Sequence, residues 1–188
     1  MTFRPKSGTI RQKKEKEATI VETRQDGWEH VVHGFAPIYD ERSRVLVLGT
    51  LPSVKSREEN FYYGHARNRF WQVLAAVFDA PVPQSIEEKK ALLLAEKVAL
   101  WDVVGACDIR RSADSTIRNV VPNDPRPILA ATPIRAIYTN GTKAFELYRK
   151  YLLPLTGIEA VRLPSTSPAN AACGTEALIT AWRVLREE

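Results

Sequence analysis

Long apolar runs are absent from this chain. No stretch approaches the ~18 uninterrupted apolar residues of a membrane span. Cysteine is scarce: 188 residues hold two, Cys107 and Cys173. No CxxC pair or Cys/His ligand spacing accompanies them, so no zinc or iron–sulfur site is expected and the two read as reduced thiols. The GxGxxG pattern and the Walker GKS pattern are missing, which argues against a nucleotide-binding α/β protein. The N-terminus is polar and charged, so no secretory signal is expected. Internal repeats and low-complexity tracts are absent too. Nothing implies a metal or an organic cofactor.

What is present is ordinary in bulk and uneven in detail. Hydrophobic content of 44% and charged content of 26% suit a globular protein, and the length allows one α/β domain with a substantial core. The net charge of +5 favours anionic partners, of which nucleic acid is the commonest. Arg4, Lys6, Arg11, Lys13, Lys14 and Lys16 crowd the first 27 residues, with few apolar residues to bury. That segment reads as a mobile basic arm, either a DNA tether or a solvated tail, with the folded domain at 28–188.

Strand and helix patterns alternate through the domain. Strands are expected at 44–48, 98–104, 134–138 and 160–163. Phe70, Val73, Leu74 and Val77 fall on one face of a helix over 69–78, which Pro81 and Pro83 end. Ser85, followed by Glu87 and Glu88, is a plausible N-cap for the next helix. Further helices are expected at 127–131, 143–151 and 176–186. Thr139-Asn140-Gly141 reads as a turn, and Cys107–Asp124 as a surface loop or short helix. This order implies a three-layer α/β/α sandwich around a mostly parallel four-stranded sheet.

Two polar loops follow strands. Gly49-Thr50-Leu51-Pro52-Ser53 leads on to Tyr62-Tyr63-Gly64-His65-Ala66-Arg67-Asn68-Arg69-Phe70-Trp71, and Pro164-Ser165-Thr166-Ser167-Pro168-Ala169-Asn170 follows the last strand. Ligands of open α/β sheets sit beyond the carboxyl ends of the strands, so the two loops suggest one cleft built from both ends of the chain.

These ordered motifs resemble the uracil-DNA glycosylase superfamily, and within it the hypoxanthine (deoxyinosine) DNA glycosylases. The stretches Ser53–Glu58, Asn119–Asp124 and Leu163–Ala171 are similar to that branch in particular, and the likeness runs from about His33 to the C-terminus. Uracil-cleaving relatives place a water-positioning Asn or Asp in the first loop where this chain has Leu51. In the hypoxanthine branch that role is assigned to the Asn of the NRFW segment, here Asn68. Ala66 stands where related sequences usually carry Pro.

The resemblance implies a set of site residues. Asn68 and Asn140 would be catalytic. Tyr63, Gly49, Leu51 and Pro52 would bind the base, with Tyr63 stacking on it. Ser53, Ser56, Ser165, Thr166, Ser167, Pro168 and Asn170 would contact DNA, the second loop filling the gap left by a flipped base. Each has a plainer alternative: Asn68 as a helix cap, Asn140 as a turn residue, the second loop as an ordinary strand-to-helix connection. His65 and Asp102 are acid–base suspects that fit structural roles as well, and Phe70, Trp71 and Trp101 read as core aromatics.

The expected function is a monofunctional DNA glycosylase that flips out hypoxanthine and hydrolyses its glycosidic bond. No lysine stands at a recognisable Schiff-base position. The implied partner is DNA carrying a deaminated base, with the chain acting as a monomer in the cytoplasm, on the nucleoid in a prokaryote. The alternatives are a uracil or mismatch-uracil glycosylase of the same fold, against which Leu51 argues, and a non-catalytic module that binds damaged DNA.

Overall fold

Three of the strands, over 45–49, 98–102 and 136–140, are buried on both faces, which is why they read in the sequence as short apolar runs. The structure is a computed structural model that describes residues 20–23, 26–111 and 113–187. In chain order its strands are β1 (Ile20–Thr23), β2 (Trp28–Val32), β3 (Val45–Gly49), β4 (Val98–Asp102), β5 (Val104–Arg110), β6 (Arg118–Pro122), β7 (Ala136–Asn140) and β8 (Ala160–Leu163). The helices are α1 (Val54–Glu58), α2 (Phe70–Val77), α3 (Ile86–Ala95), α4 (Arg126–Ala131), α5 (Thr142–Leu147), α6 (Leu153–Thr156) and α7 (Thr175–Trp182).

The parallel sheet has the order β4-β3-β7-β8. Alternate residues of β3 face opposite layers. Val45 and Val47 pack with Phe70, Val73 and Leu74 of α2, Leu93 of α3 and Trp182 of α7. Leu46 and Leu48 pack with Ile128 of α4, Leu147 of α5 and Tyr148. The three-layer expectation holds. Ser85 caps α3, as its sequence suggested, and the structure adds a reciprocal capping box with Glu88.

A second sheet, antiparallel, has the order β1-β2-β5-β6 and packs Val31, Cys107 and Ile109 into the same core as Leu46 and Leu48. It corrects two expectations. The strand expected over 98–104 stops at Asp102, and β5 starts at Val104. Half of Cys107–Asp124 is strand, in β5 and β6, with the expected short helix present as a 3-10 turn at Asp114–Thr116; the buried Asp108 has partners in His30 Nδ1 at 2.9 Å and Asn119 Nδ2 at 2.8 Å. Burial pushes the Cys107 thiol up to about 11, so it is an inert core residue.

Other boundaries move. β7 begins at Ala136 and runs through Asn140, so Thr139 and Asn140 belong to the strand. Asn140 lies opposite Leu163, and the chain turns at Gly141, where φ is 97°. The helix expected over 143–151 is α5, a π-helical turn over Tyr148–Leu152, then α6. The closing helix is α7 followed by a 3-10 turn over Arg183–Arg186. Ile20–Thr23 pair with β2, so the sheet begins before residue 28. The basic residues Arg4 to Lys16 lie outside the described residues. Among the described residues, no helix is long and apolar enough to cross a membrane.

Candidate active site

The carboxyl ends of the parallel strands meet at one edge of the sheet, with Gly49 opposite Asp102 and Asn140 opposite Leu163. A cavity of about 390 Å³ opens there, within the usual range of roughly 300–1,000 Å³ for small-molecule sites. Both polar loops wall it. Gly49, Leu51, Pro52, Ser53 and Ser56 come from the first, Ser165 and Ser167 from the second, and Tyr63, Asn68, Asp102 and Asn140 stand between them. Thr166, Pro168 and Asn170 are not part of the wall.

Asn68 is held by its oxygen. Its Oδ1 accepts the Phe70 backbone N–H at 3.0 Å and the Thr166 hydroxyl at 3.0 Å. A backbone N–H can only donate, so the carboxamide orientation follows from chemistry. Nδ2 bonds no described residue and is the part of the amide left to the cavity. The N-cap of α2 is Arg69, without a side-chain cap bond, so Asn68 is not the cap: it stands one residue earlier, where its oxygen accepts the N–H of the first helical residue and its nitrogen is left as a donor.

Thr166 connects this group to β7. It is fully buried. Its backbone N–H donates to Asn140 Oδ1 at 3.0 Å, and Asn140 Nδ2 donates to its hydroxyl at 2.9 Å. The hydroxyl in turn donates a hydrogen bond to Asn68 Oδ1. The result is a directed chain, Asn140 to Thr166 to Asn68, across the two loops. Thr166 has no surface to offer a phosphate, so the DNA contact expected of it gives way to a positioning role.

Several other expected DNA contacts are struts as well. Ser56 is buried, and its hydroxyl accepts the Gly64 N–H at 3.1 Å. Ser53 is exposed, caps α1, and bonds the Ser56 hydroxyl at 3.0 Å. Asn170 Nδ2 closes its own loop on the Ser165 carbonyl at 2.8 Å. The hydroxyls of Ser165 and Ser167 accept N–H groups two residues on, at 3.2 Å each. Pro168 is half-buried at the loop's tip, beside exposed Ala169.

Arg69 was not singled out by the sequence, yet it anchors the second loop. Its guanidinium donates to the carbonyls of Asn170 at 3.0 Å and Cys173, and its N–H bonds the Thr166 carbonyl at 3.1 Å. Trp182 Nε1 donates to the Pro164 carbonyl at 3.0 Å from the other side. The basic residue before Phe70 was a visible signal, but its partners lie about a hundred positions away.

Tyr63 is placed by strain and packing. Its φ is 52°, a conformation that costs a bulky residue on the order of 1–3 kcal/mol. One ring face stacks on Phe70 with centroids 3.9 Å apart, so only the other face is available to a base. Its hydroxyl is buried without a hydrogen-bond partner among the described residues. Burial, then the charge of Asp102, raises its pKa well above the ordinary phenol value, with nearby Asn140 pulling weakly the other way. The group therefore stays protonated.

Asp102 is in the cavity wall and His65 is not. His65 Nδ1 accepts the Arg67 N–H at 3.1 Å, a turn contact that fits its structural alternative. Asp102 is 4% exposed, and its Oδ2 meets His33 Nε2 at 2.8 Å. His33 lies 69 residues earlier in the chain, and nothing local in the sequence points to this pairing. Asn123 Nδ2 fixes the backbone on either side, through the carbonyls of Asp102 at 2.9 Å and Val104 at 3.3 Å.

Known proteins share this arrangement of elements. The profile of the uracil DNA glycosylase superfamily matches residues 36–186. A protein named hypoxanthine DNA glycosylase from Methanosarcina acetivorans is 35% identical over 142 residues, covering 74% of this chain and 89% of that one. Its namesake from Methanosarcina barkeri is 33% identical over 140 residues, covering 73% and 87%. A solution NMR structure from Methanosarcina acetivorans, provisionally assigned as a uracil DNA glycosylase, superimposes with a TM-score of 0.69 at 33% identity and covers 81% of this chain and 97% of that one. The strand-end loops, the cavity between them and these matches converge: the chain belongs to the uracil DNA glycosylase superfamily.

Proposed function

We propose that this protein is a monofunctional DNA glycosylase that extrudes hypoxanthine from DNA and hydrolyses its N-glycosidic bond. The observation that carries the reading is the buried chain from Asn140 through Thr166 to Asn68, which fixes a carboxamide donor at the wall of a base-sized cavity. The names of the Methanosarcina relatives support the substrate, and DNA is the partner that name implies. We take the chain to act as an intracellular monomer.

Extrusion costs a few kcal/mol, least for a base already mispaired, as hypoxanthine is opposite thymine. Once the base is in the cavity, the bond from N9 to C1′ breaks and its electron pair leaves with the purine. Water forms the new bond to C1′. One of its protons is lost to solvent and the purine gains one, giving free hypoxanthine and an abasic site. Asn68 Oδ1 has both lone pairs occupied, so Asn68 cannot take the water's proton. Its open Nδ2 can donate to the departing purine or hold the water by its oxygen. A fixed donor aimed at developing charge is the kind of preorganisation whose removal typically costs ~10²–10³ in rate. No lysine lines the cavity among the described residues, which supports hydrolysis without strand cleavage.

Single-turnover base release from duplexes carrying one hypoxanthine or one uracil tests the reading, with wild type beside Asn68→Ala. Hypoxanthine release that collapses in the variant is the expected result. Release of uracil alone would move the assignment to the second reading, which Leu51 disfavours: its side chain packs against the apolar core and can hold no water. Binding with no release from either duplex would leave a damage-binding module.

A further inference from the structure

Two oxygen atoms in the cavity wall have no assigned task, Asp102 Oδ1 and Tyr63 Oη. They converge over Gly49. A Cβ added there would stand 2.2 Å from Asp102 Oδ1 and 2.8 Å from Tyr63 Oη, so only glycine lets the two approach one another above the strand end.

Their chemical characters are fixed by their surroundings. His33 Nδ1 accepts the Phe35 N–H at 3.1 Å, so that nitrogen is bare and Nε2 carries the ring proton. Nε2 donates it to Asp102 Oδ2. Oδ1 bonds no described residue and, as a carboxylate oxygen, offers only lone pairs. Asn123 pins the Asp102 backbone, and the strained, stacked ring of Tyr63 pins the hydroxyl. Buried polar atoms without partners are rare enough to need an explanation. An acceptor beside a protonated hydroxyl, both held rigidly in a cavity, has a natural complement: a ring edge carrying a donor beside an acceptor.

Hypoxanthine has that edge, with N1–H next to O6. Adenine, from which it arises, has the reverse, a bare N1 next to an amino group. We propose that Asp102 Oδ1 accepts N1–H and Tyr63 Oη donates to O6, so that this pair separates hypoxanthine from adenine. The inference rests on the reading of the cavity as a base pocket. The Tyr63 hydroxyl can turn to accept from an amino group, whereas Oδ1 cannot donate to a bare N1, so Asp102 carries most of the discrimination. Sites built around a hydrogen bond reject analogues that lack it by as much as ~10⁴–10⁵. Guanine shows the same N1–H and O6 edge, so its exclusion falls to its 2-amino group or its stable pairing.

The test is single-turnover release of hypoxanthine, 1-methylhypoxanthine and adenine, each opposite cytosine in the same duplex. Wild type should release hypoxanthine and act at least about 100-fold more slowly on the other two. In Asp102→Asn, His33 holds the amide oxygen and turns an NH2 toward the base. Hypoxanthine release should fall about 10- to 100-fold, and the ratio of hypoxanthine to adenine release should fall with it. Tyr63→Phe should lower hypoxanthine release by a smaller factor. The ratio does not change when a fraction of the protein fails to fold, and the 1-methylhypoxanthine arm needs no variant. An unchanged ratio in Asp102→Asn, or full-rate release of 1-methylhypoxanthine by wild type, overturns the inference and leaves the glycosylase reading standing. Failure of wild type to release hypoxanthine at all overturns both.

Discussion

The two polar loops flanking the cavity look alike in composition and differ in how many distant side chains hold them. The side chains that hold the first are its own, beside backbone bonds from the Val103 and Val104 N–H groups to the Gly49 and Thr50 carbonyls. Ser53 caps α1 and bonds Ser56, and Ser56 bonds Gly64, all within a dozen residues. The second also closes on itself through Ser165, Ser167 and Asn170, but distant side chains pin it as well: Trp182 on Pro164, Arg69 on Asn170 and Cys173, and Asn140 on Thr166. A self-contained loop can be altered without disturbing its neighbours. A loop pinned by distant side chains passes any disturbance on, and Thr166 passes it directly to Asn68. The same residue types thus stiffen one wall of the cavity and couple the other wall to the chemistry.

The comparison orders the expected effects of mutation. Asn68→Ala should be the most damaging, at ~10²–10³ in single-turnover hypoxanthine release, because it removes the donor itself. Thr166→Val should come next. It keeps the shape but leaves Asn140 Nδ2 and Asn68 Oδ1 each short of a partner. Stability should drop by about 1–3 kcal/mol in denaturant titration, and release should slow about 10- to 100-fold, since Asn68 is no longer aimed. A Thr166→Val protein that loses stability but keeps the wild-type release rate would show that the chain is scaffolding only.

The sequence made the first of these features visible and hid the second. β3 and the start of β4 are buried on both faces, so Val45–Leu48 and Val98–Leu100 stand out as apolar runs. The N-cap at Ser85 is local and equally plain. The antiparallel sheet is not, because Asp108 in β5 is buried against His30, 78 residues earlier. The register shifts between β5 and β6 break the alternation that would have betrayed them. The same limit applies at the site. Asn68 and Asn140 were legible through motif resemblance, but their link through Thr166 spans 98 residues on one side and 26 on the other. Asn140-Gly141 suggested a turn, and pairing with β8 made Asn140 the end of a strand instead.

Arg69→Gln sharpens the comparison on the binding side. It should loosen the second loop while sparing the bond from Phe70 N–H to Asn68. DNA affinity should fall about tenfold, as several charge-assisted bonds are lost, with a smaller change in release at saturating protein. Equal losses in affinity and release would mean that Arg69 also aims Asn68.

Ser53→Ala should have the smallest effect. Removing an N-cap costs about 0.5–2 kcal/mol in general, and α1 is a five-residue helix also held by the buried Ser56 and by Arg57 on the Pro52 carbonyl. Release from hypoxanthine duplexes should stay within about twofold of wild type. Of the first-loop hydroxyls, only that of Ser53 is on an exposed residue, so this variant is also the fairest test of a direct phosphate contact. If DNA affinity falls as far in Ser53→Ala as in Arg69→Gln, with thermal stability unchanged, the first loop is not self-contained: it grips DNA in its own right, and the two walls of the cavity are more alike than their hydrogen bonds suggest.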